Sequence, residues 1–181
     1  MDDAYYIDRV LKGELNAFTP LVEKYRHYVT VLVKRTCVNP AEAEELAQDV
    51  FVKVYQHLGS FKGKATFSTW LYRIAFNTAV SHARKKKRYR VSIDEVTQSR
   101  YEVSDEEQQQ GREEMIHTER KYEVLEELVA TLPAEEQMLL SLYYKEGLKM
   151  DEVAYICGLS LSNAKVKIHR IRKKLNEIII L

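Results

Sequence analysis

The chain has 181 residues, with 28 Lys and Arg against 27 Asp and Glu and a formal net charge of +1. That length holds one ordinary domain or two small ones, and the near-neutral total excludes a uniformly basic nucleic-acid binder while leaving room for segregated charge. Two cysteines are too few for a disulfide framework or zinc knuckle, the five histidines lack metal-ligand spacing, and no apolar run approaches the ~20 residues of a membrane span, so a cytoplasmic protein with reduced thiols is expected, without leader, membrane insertion, metal or cofactor.

Glycine and proline are scarce, 6 and 3 residues. No stretch sustains the alternation of a half-buried strand, so the chain reads as all-α. Residues 1–14 predict a short helix ending near Gly13. Leu21, Val22, Tyr25, Tyr28, Val29, Leu32 and Val33 recur at helical spacing and predict a second, amphipathic helix. A third opens at Asn39-Pro40-Ala41-Glu42, where Asn39 can cap, Pro40 fits the first turn and Glu42 completes a capping box. Its buried stripe is Ala43, Leu46, Ala47, Val50, Phe51, Val54 and Leu58. Residues 59–66 predict a loop containing Gly63. The fourth helix carries Phe67, Trp70, Leu71, Ile74, Ala75 and Thr78, then runs into residues 84–90, six positive charges without an acid.

Residues 91–118 break the pattern. Eight acids fall between 94 and 114 against only Arg100 and Arg112, with Gln108-Gln109-Gln110 and few apolar residues. Such a segment cannot bury enough surface to offset its ordering entropy, which predicts a flexible acidic linker. Order resumes with Tyr122, Leu125, Leu128, Val129 and Leu132, and Pro133 starts a new helix. Two small helical domains, 1–90 and 119–181, are therefore expected on either side of the linker.

The second domain ends in a helix-turn-helix pattern. Gly158 supplies backbone freedom for a tight turn, and Ser160 is a good N-cap. Beyond it Ala164, Ile168, Ile171 and Leu175 form one apolar stripe. At ~100° per residue, Ser162, Val166, His169, Arg170 and Lys173 fall opposite, with Lys165 at the flank. Residues 165–174 hold six positive charges and no acid. A basic helix alone reads as a solvated core helix; the Gly-Leu-Ser turn and the short helix before it turn the reading towards a helix for the DNA major groove.

Three blocks, residues 43–55, residues 67–79 with the Arg/Lys run, and residues 132–175, resemble the extracytoplasmic-function (ECF) sigma factors of the sigma-70 family. These are small two-domain initiation subunits of bacterial RNA polymerase. The resemblance implies that the helix of the first block binds the clamp of the polymerase largest subunit through Gln48, Asp49, Val52 and Lys53. It implies that the second block and its preceding loop capture the −10 element and open the duplex. The residues matched to that role are Lys62, Lys64, Phe67, Arg73, Asn77, Arg84, Lys85, Lys86, Lys87 and Arg88, which offer base contacts and a cationic track for a single strand. Trp70 is spaced with Phe67, Leu71 and Ile74 and is expected in the core. For the −35 element the resemblance implies Ser162, Lys165, Val166, Lys167, His169, Arg170 and Arg172. Of these, Lys165, Val166, His169 and Arg170 would face bases, and Lys167 and Arg172 phosphates.

Two departures stand out. The acidic residue common in the family after the Asn of the second block is absent from Val80-Ser81-His82, and Lys149 occupies the position where Ser or Thr often opens the first helix of the helix-turn-helix. The implied partners are core RNA polymerase and promoter DNA, with an anti-sigma factor as a further candidate and no small-molecule substrate. A stand-alone helix-turn-helix regulator with a sensing bundle is the alternative. An enzyme is not expected: there is no phosphate-binding Gly loop, no carboxylate pair beside a ligand set and no nucleophile–base motif.

Overall fold

Asp2 opens the first helix by accepting the Ala4 N–H at 3.0 Å, and α1 (Asp3–Leu11) follows. The computed structural model describes residues 2–37, 39–91 and 124–179. A short 3-10 turn, Leu15–Phe18, leads into α2 (Thr19–Lys34). Tyr25 Oη donates to Asp3 Oδ2 at 2.6 Å, and Lys24 pairs with the other carboxylate oxygen, tying α1 to α2. Next come α3 (Pro40–His57), a 3-10 turn at Leu58–Ser60, and α4 (Phe67–Val91). The Asn39 side chain accepts the Glu42 N–H at 2.8 Å, as its sequence position predicts.

The expected linker, 91–118, lies outside the described residues apart from Val91 at the end of α4. A helix over residues 124–130, α5, begins the C-terminal part. It is followed by α6 (Ala134–Leu140), which continues as a π turn, Ser141–Lys145, and then by α7 (Met150–Cys157) and α8 (Leu161–Ile179). No strand occurs among the described residues.

Packing follows the predicted stripes. All seven residues expected on the inner face of α3, from Ala43 to Leu58, are buried, and they meet Leu21, Val29 and Val33 of α2 and Leu71 and Ala75 of α4 in one core. Tyr25, Phe61, Phe67 and Trp70 interlock with centroid separations of 5.4–5.8 Å, joining the loop before α4 to that core. In the C-terminal part α7 and α6 cover α8, burying Met138, Leu139, Leu142, Val153 and Ile156.

Helix α4 also packs on a second partner. Beside the Phe67, Leu71, Ala75, Ala79 stripe it carries Tyr72, Phe76 and Val80, spaced i, i+4, i+8 and all buried. This second stripe faces the C-terminal helices, chiefly α7 and also α6. The two helical parts are therefore in direct contact, with α4 shared between them.

Candidate nucleic-acid interface

The helix-turn-helix is closed by local chemistry that the sequence announces. Gly158 adopts φ 67°, left-handed, and ends α7. The Leu159 N–H donates to the Ala154 carbonyl at 2.8 Å. Ser160 Oγ then accepts the Asn163 N–H at 3.2 Å, capping α8. At the start of α7, Lys149 has no accepting side chain, and the cap is completed from the other direction: Glu152 Oε2 accepts the Lys149 N–H at 3.1 Å.

Helix α8 buries Ala164, Ile168, Ile171 and Leu175 and leaves Ser162, Lys165, Val166, His169, Arg170 and Lys173 exposed. Lys165, which helical projection puts only at the flank, is as open as the rest of that face. The two expected phosphate contacts are separated. Lys167 turns to one side, its Nζ 3.6 Å from Glu135 Oε2. Arg172 lies on the other, lining an apolar groove of about 490 Å³ with Leu125, Val129, Leu140, Tyr144 and Leu175.

Around α4 the expected residues divide into three groups. Lys62 and Lys64 are exposed on either side of Gly63, whose φ of 66° makes the loop tip. Thr66 Oγ1 accepts the Thr69 N–H at 3.2 Å and caps α4 directly after this loop. Arg73, Asn77 and Arg84 form a second group beside the C-terminal part, with Asn77 and Arg84 still exposed to solvent. The Arg73 guanidinium stands 4.8 Å from the Tyr155 ring centroid, Arg84 pairs with Glu135, and Asn77 lines a small cavity beside them. The third group lies at the far end, where Lys85 is exposed but Lys86 is half-buried and donates to Glu42 at 2.7 Å. The side chains of Lys87 and Arg88 lie outside the described residues.

Phe67 departs from the expectation that it faces DNA. It is 4% exposed, at the centre of the aromatic cluster with Tyr25, Phe61 and Trp70, and its ring is taken up by core contacts. Trp70 belongs to the same cluster, as its spacing predicts. His82 turns inward, its Nε2 3.4 Å from Glu42.

The third expected surface is on α3. Gln48, Asp49, Val52 and Lys53, spaced i, i+1, i+4 and i+5, are all exposed on one side of the helix, and Val52 is open to 54%. Lys53 Nζ donates to Thr78 Oγ1 at 3.2 Å. Tyr55, 40% exposed and set against Phe18, extends the apolar part of this side.

The profile of sigma-70 region 2 matches residues 21–89, and that of sigma-70 region 4 matches residues 122–175. The chain belongs to the sigma-70 family, among its ECF members. It is 29% identical over 178 residues to the RNA polymerase sigma-H factor of Pseudomonas aeruginosa, covering 97% of this chain and 92% of that protein. It is 29% identical over 179 residues to the ECF RNA polymerase sigma-E factor of Escherichia coli, covering 97% and 93%. Among solved structures, CnrH in complex with the cytosolic domain of CnrY aligns with a TM-score of 0.65 at 19% identity, over 98% of this chain and 96% of that one. The sigma factor RpoE bound to the anti-sigma factor NepR from Bartonella quintana aligns with a TM-score of 0.64 at 21% identity, over 92% and 99%. These two likenesses establish a shared fold. The region 2 match covers α2 to α4, the half that a stand-alone regulator would give to a sensing bundle, and it does not favour the regulator reading.

No helix among the described residues is long and apolar enough to cross a membrane, and no cluster of three His, Cys, Asp or Glu suited to a metal occurs among them.

Proposed function

We propose that α3 docks on core RNA polymerase through Gln48, Asp49, Val52 and Lys53 while two separate surfaces address promoter DNA. As a sigma-70-family protein the chain is a transcription initiation factor that directs RNA polymerase to promoters, with core polymerase and promoter DNA as its partners. Helix α8 enters the major groove of the −35 element with Lys165, Val166, His169 and Arg170 towards the bases. The loop carrying Lys62 and Lys64, with Arg73 and Asn77 of α4, captures the −10 strand as it opens, and the basic end of α4 follows the backbone. We place the working units at 1–90 and 119–181, joined by the acidic stretch 91–118. The protein carries no catalysis of its own and works in the cytoplasm.

One observation carries this reading: a single chain presents an exposed mixed polar and apolar side on α3 and an exposed basic face on a capped recognition helix. A factor that only bound DNA has no use for the first. Purified chain mixed with core polymerase and a genomic promoter library should form a stable complex and give discrete transcript starts, while Asp49→Arg with Val52→Glu abolishes both. Sequence-specific DNA binding without association with core enzyme, and without transcripts, overturns the reading.

A further inference from the structure

The exposed apolar side chains of this protein are not scattered at random. Ten large ones are open to solvent among the described residues, and four of them, Leu11, Leu15, Val52 and Tyr55, meet at one corner of the N-terminal part. Leu11 ends α1, and its Cδ2 is 4.0 Å from where a Cβ on Gly59 would stand, just beyond the end of α3. Leu15 and Phe18 are the two ends of the 3-10 turn, in which residues three apart eclipse and share a face. Phe18 stands edge-on to Phe51 and Tyr55 of α3, with ring centroids 6.5 and 5.3 Å away. Tyr55 and Val52, three apart on α3, are neighbours on its surface. One apolar strip therefore runs from the end of α1 across the 3-10 turn to Val52, which already belongs to the side of α3 assigned to core polymerase.

The rim of this strip is electrically quiet. Lys12 pairs with Asp8 at 2.6 Å and Arg9 pairs with Glu14, so the cations of α1 that border it are already matched. Such a border does not attract phosphate, and it sets the strip apart from the basic surfaces assigned to DNA. An apolar centre edged by self-paired charge suits a protein partner. Size points the same way. A stable interface takes ~800 Å² from each partner, spread over ~20 residues or more. Gln48, Asp49, Val52 and Lys53 occupy less than two turns of one helix and cannot supply that area by themselves.

We propose that core polymerase covers the strip as well, so that Leu11, Leu15 and Tyr55 contact an apolar extension of the polymerase surface that Val52 meets. The inference rests on the assignment of α3 to core polymerase above. Leu11, Leu15 and Phe18 precede the stretch matched to sigma-70 region 2, residues 21–89, so α1 and the 3-10 turn add a contact that the matched region does not contain. Leu15, at 64%, is the most open of the four and has the most surface to lose on docking. Tyr55 joins a broad apolar ring to a hydroxyl and is the natural anchor.

Both leucines are more than half exposed in the free chain, so replacing them alters the surface and spares the core. Binding of the full chain to core polymerase alone, without DNA, is read by fluorescence anisotropy. Leu15→Asn and Leu11→Asn should each weaken binding about five- to tenfold. Leu15→Met, which restores an apolar contact of similar volume, should stay within about twofold of wild type. A second readout does not depend on affinity. A benzophenone amino acid in place of Leu15 should crosslink to the same polymerase subunit as one in place of Val52. The same probe in place of Tyr5, which lies about 120° away round α1, should not.

Unchanged affinity in both asparagine variants, or the absence of a crosslink from position 15, overturns the extension. If Asp49→Arg with Val52→Glu still abolishes the complex in that case, the α3 surface stands and only the strip has failed. If that double variant also binds normally, the failure lies in the docking surface itself and the extension falls with it. Sedimentation of the wild-type chain as a dimer that Leu15→Asn converts to a monomer would assign the strip to a second copy and overturn the polymerase contact.

Discussion

Lys86 Nζ lies 2.7 Å from Glu42 Oε1, joining the distal part of α4 to the first turn of α3. In sequence Lys86 stands in the middle of five consecutive cations, residues 84–88; in the fold it is a half-buried structural partner. Glu42 also faces His82 across 3.4 Å, so this carboxylate organises the whole corner.

The neighbouring lysines should therefore respond differently to substitution. Lys85→Ala should leave the melting temperature unchanged, weaken promoter engagement by the holoenzyme and reduce its salt slope by about one unit. Lys86→Ala should lower stability by up to ~1 kcal/mol, as a half-buried pair at a helix N-terminus implies, with little change in that slope. Denaturant melts and salt titrations of the two variants separate the roles. Equal losses of slope would return Lys86 to the DNA track.

On α8, Val166 is 47% exposed in the middle of a basic face. The apolar group that the major groove offers is the thymine methyl. Replacing thymines of the −35 element one at a time by uracil, which removes only that methyl, should cost about 2–4-fold in affinity at one position, in keeping with ~0.8 kcal/mol per buried methyl-sized group. Val166→Ala should lose a similar amount and become indifferent to uracil there. By contrast, Arg170→Ala should cost ~1–3 kcal/mol at one base pair and relax the preference at it. A flat uracil scan with the wild-type protein would remove Val166 from base readout.

Where the fold obeys local rules, the sequence displays it. Asn39 before Pro40, the seven-residue stripe of α3 and the Gly158–Ser160 turn each involve interactions within a few residues, so spacing and capping chemistry suffice to find them. The seam between α4 and α7 is not local. Its signal, Tyr72, Phe76 and Val80 at i, i+4, i+8, lies on the same helix as a stronger stripe, and periodicity cannot say that a helix has two partners. Glu135 is hidden for a related reason. An acid in the first turn of a helix already has a local explanation in the dipole, and only the fold brings Arg84 and Lys167 to it. Phe67 shows the opposite error: the family match puts this aromatic residue on DNA, and ring packing against Tyr25, Phe61 and Trp70 takes it inward.

The cap at Asn39 carries a quantitative expectation. The accepted Glu42 N–H, 2.8 Å away, is one of the orphan donors of α3, and Glu42 in turn anchors Lys86. Asn39→Ala should cost ~1 kcal/mol, and Asn39→Asp should be close to neutral. Urea denaturation at pH 7 compares them. A loss as large with Asp as with Ala would mean that the side-chain acceptor is not what holds this turn.

Alkaline pH should unfold this protein through groups on the second stripe of α4 and its partner. Burial, reinforced by Glu146, raises the Tyr72 hydroxyl well above its ordinary 10.0, and burial raises the Cys157 thiol from 9.0 to about 12. Both groups are neutral when protonated. Between the unfolded and folded values the unfolded chain has released a proton that the folded chain keeps, so deprotonation favours unfolding. The stability these groups confer is complete below pH ~9 and is lost as pH climbs, with a slope of at most ~1.4 kcal/mol per pH unit for each group. Tyr72→Phe removes one of the two contributions and changes nothing that titrates at pH 7. Urea unfolding free energies measured from pH 7 to pH 10.5 should therefore fall less steeply in Tyr72→Phe than in wild type once the pH passes about 10, while below pH 9 the two curves run parallel. Curves that stay parallel throughout would mean that Tyr72 ionises as readily in the folded protein as in the unfolded one, and that the face of α4 turned to the C-terminal helices is open to water.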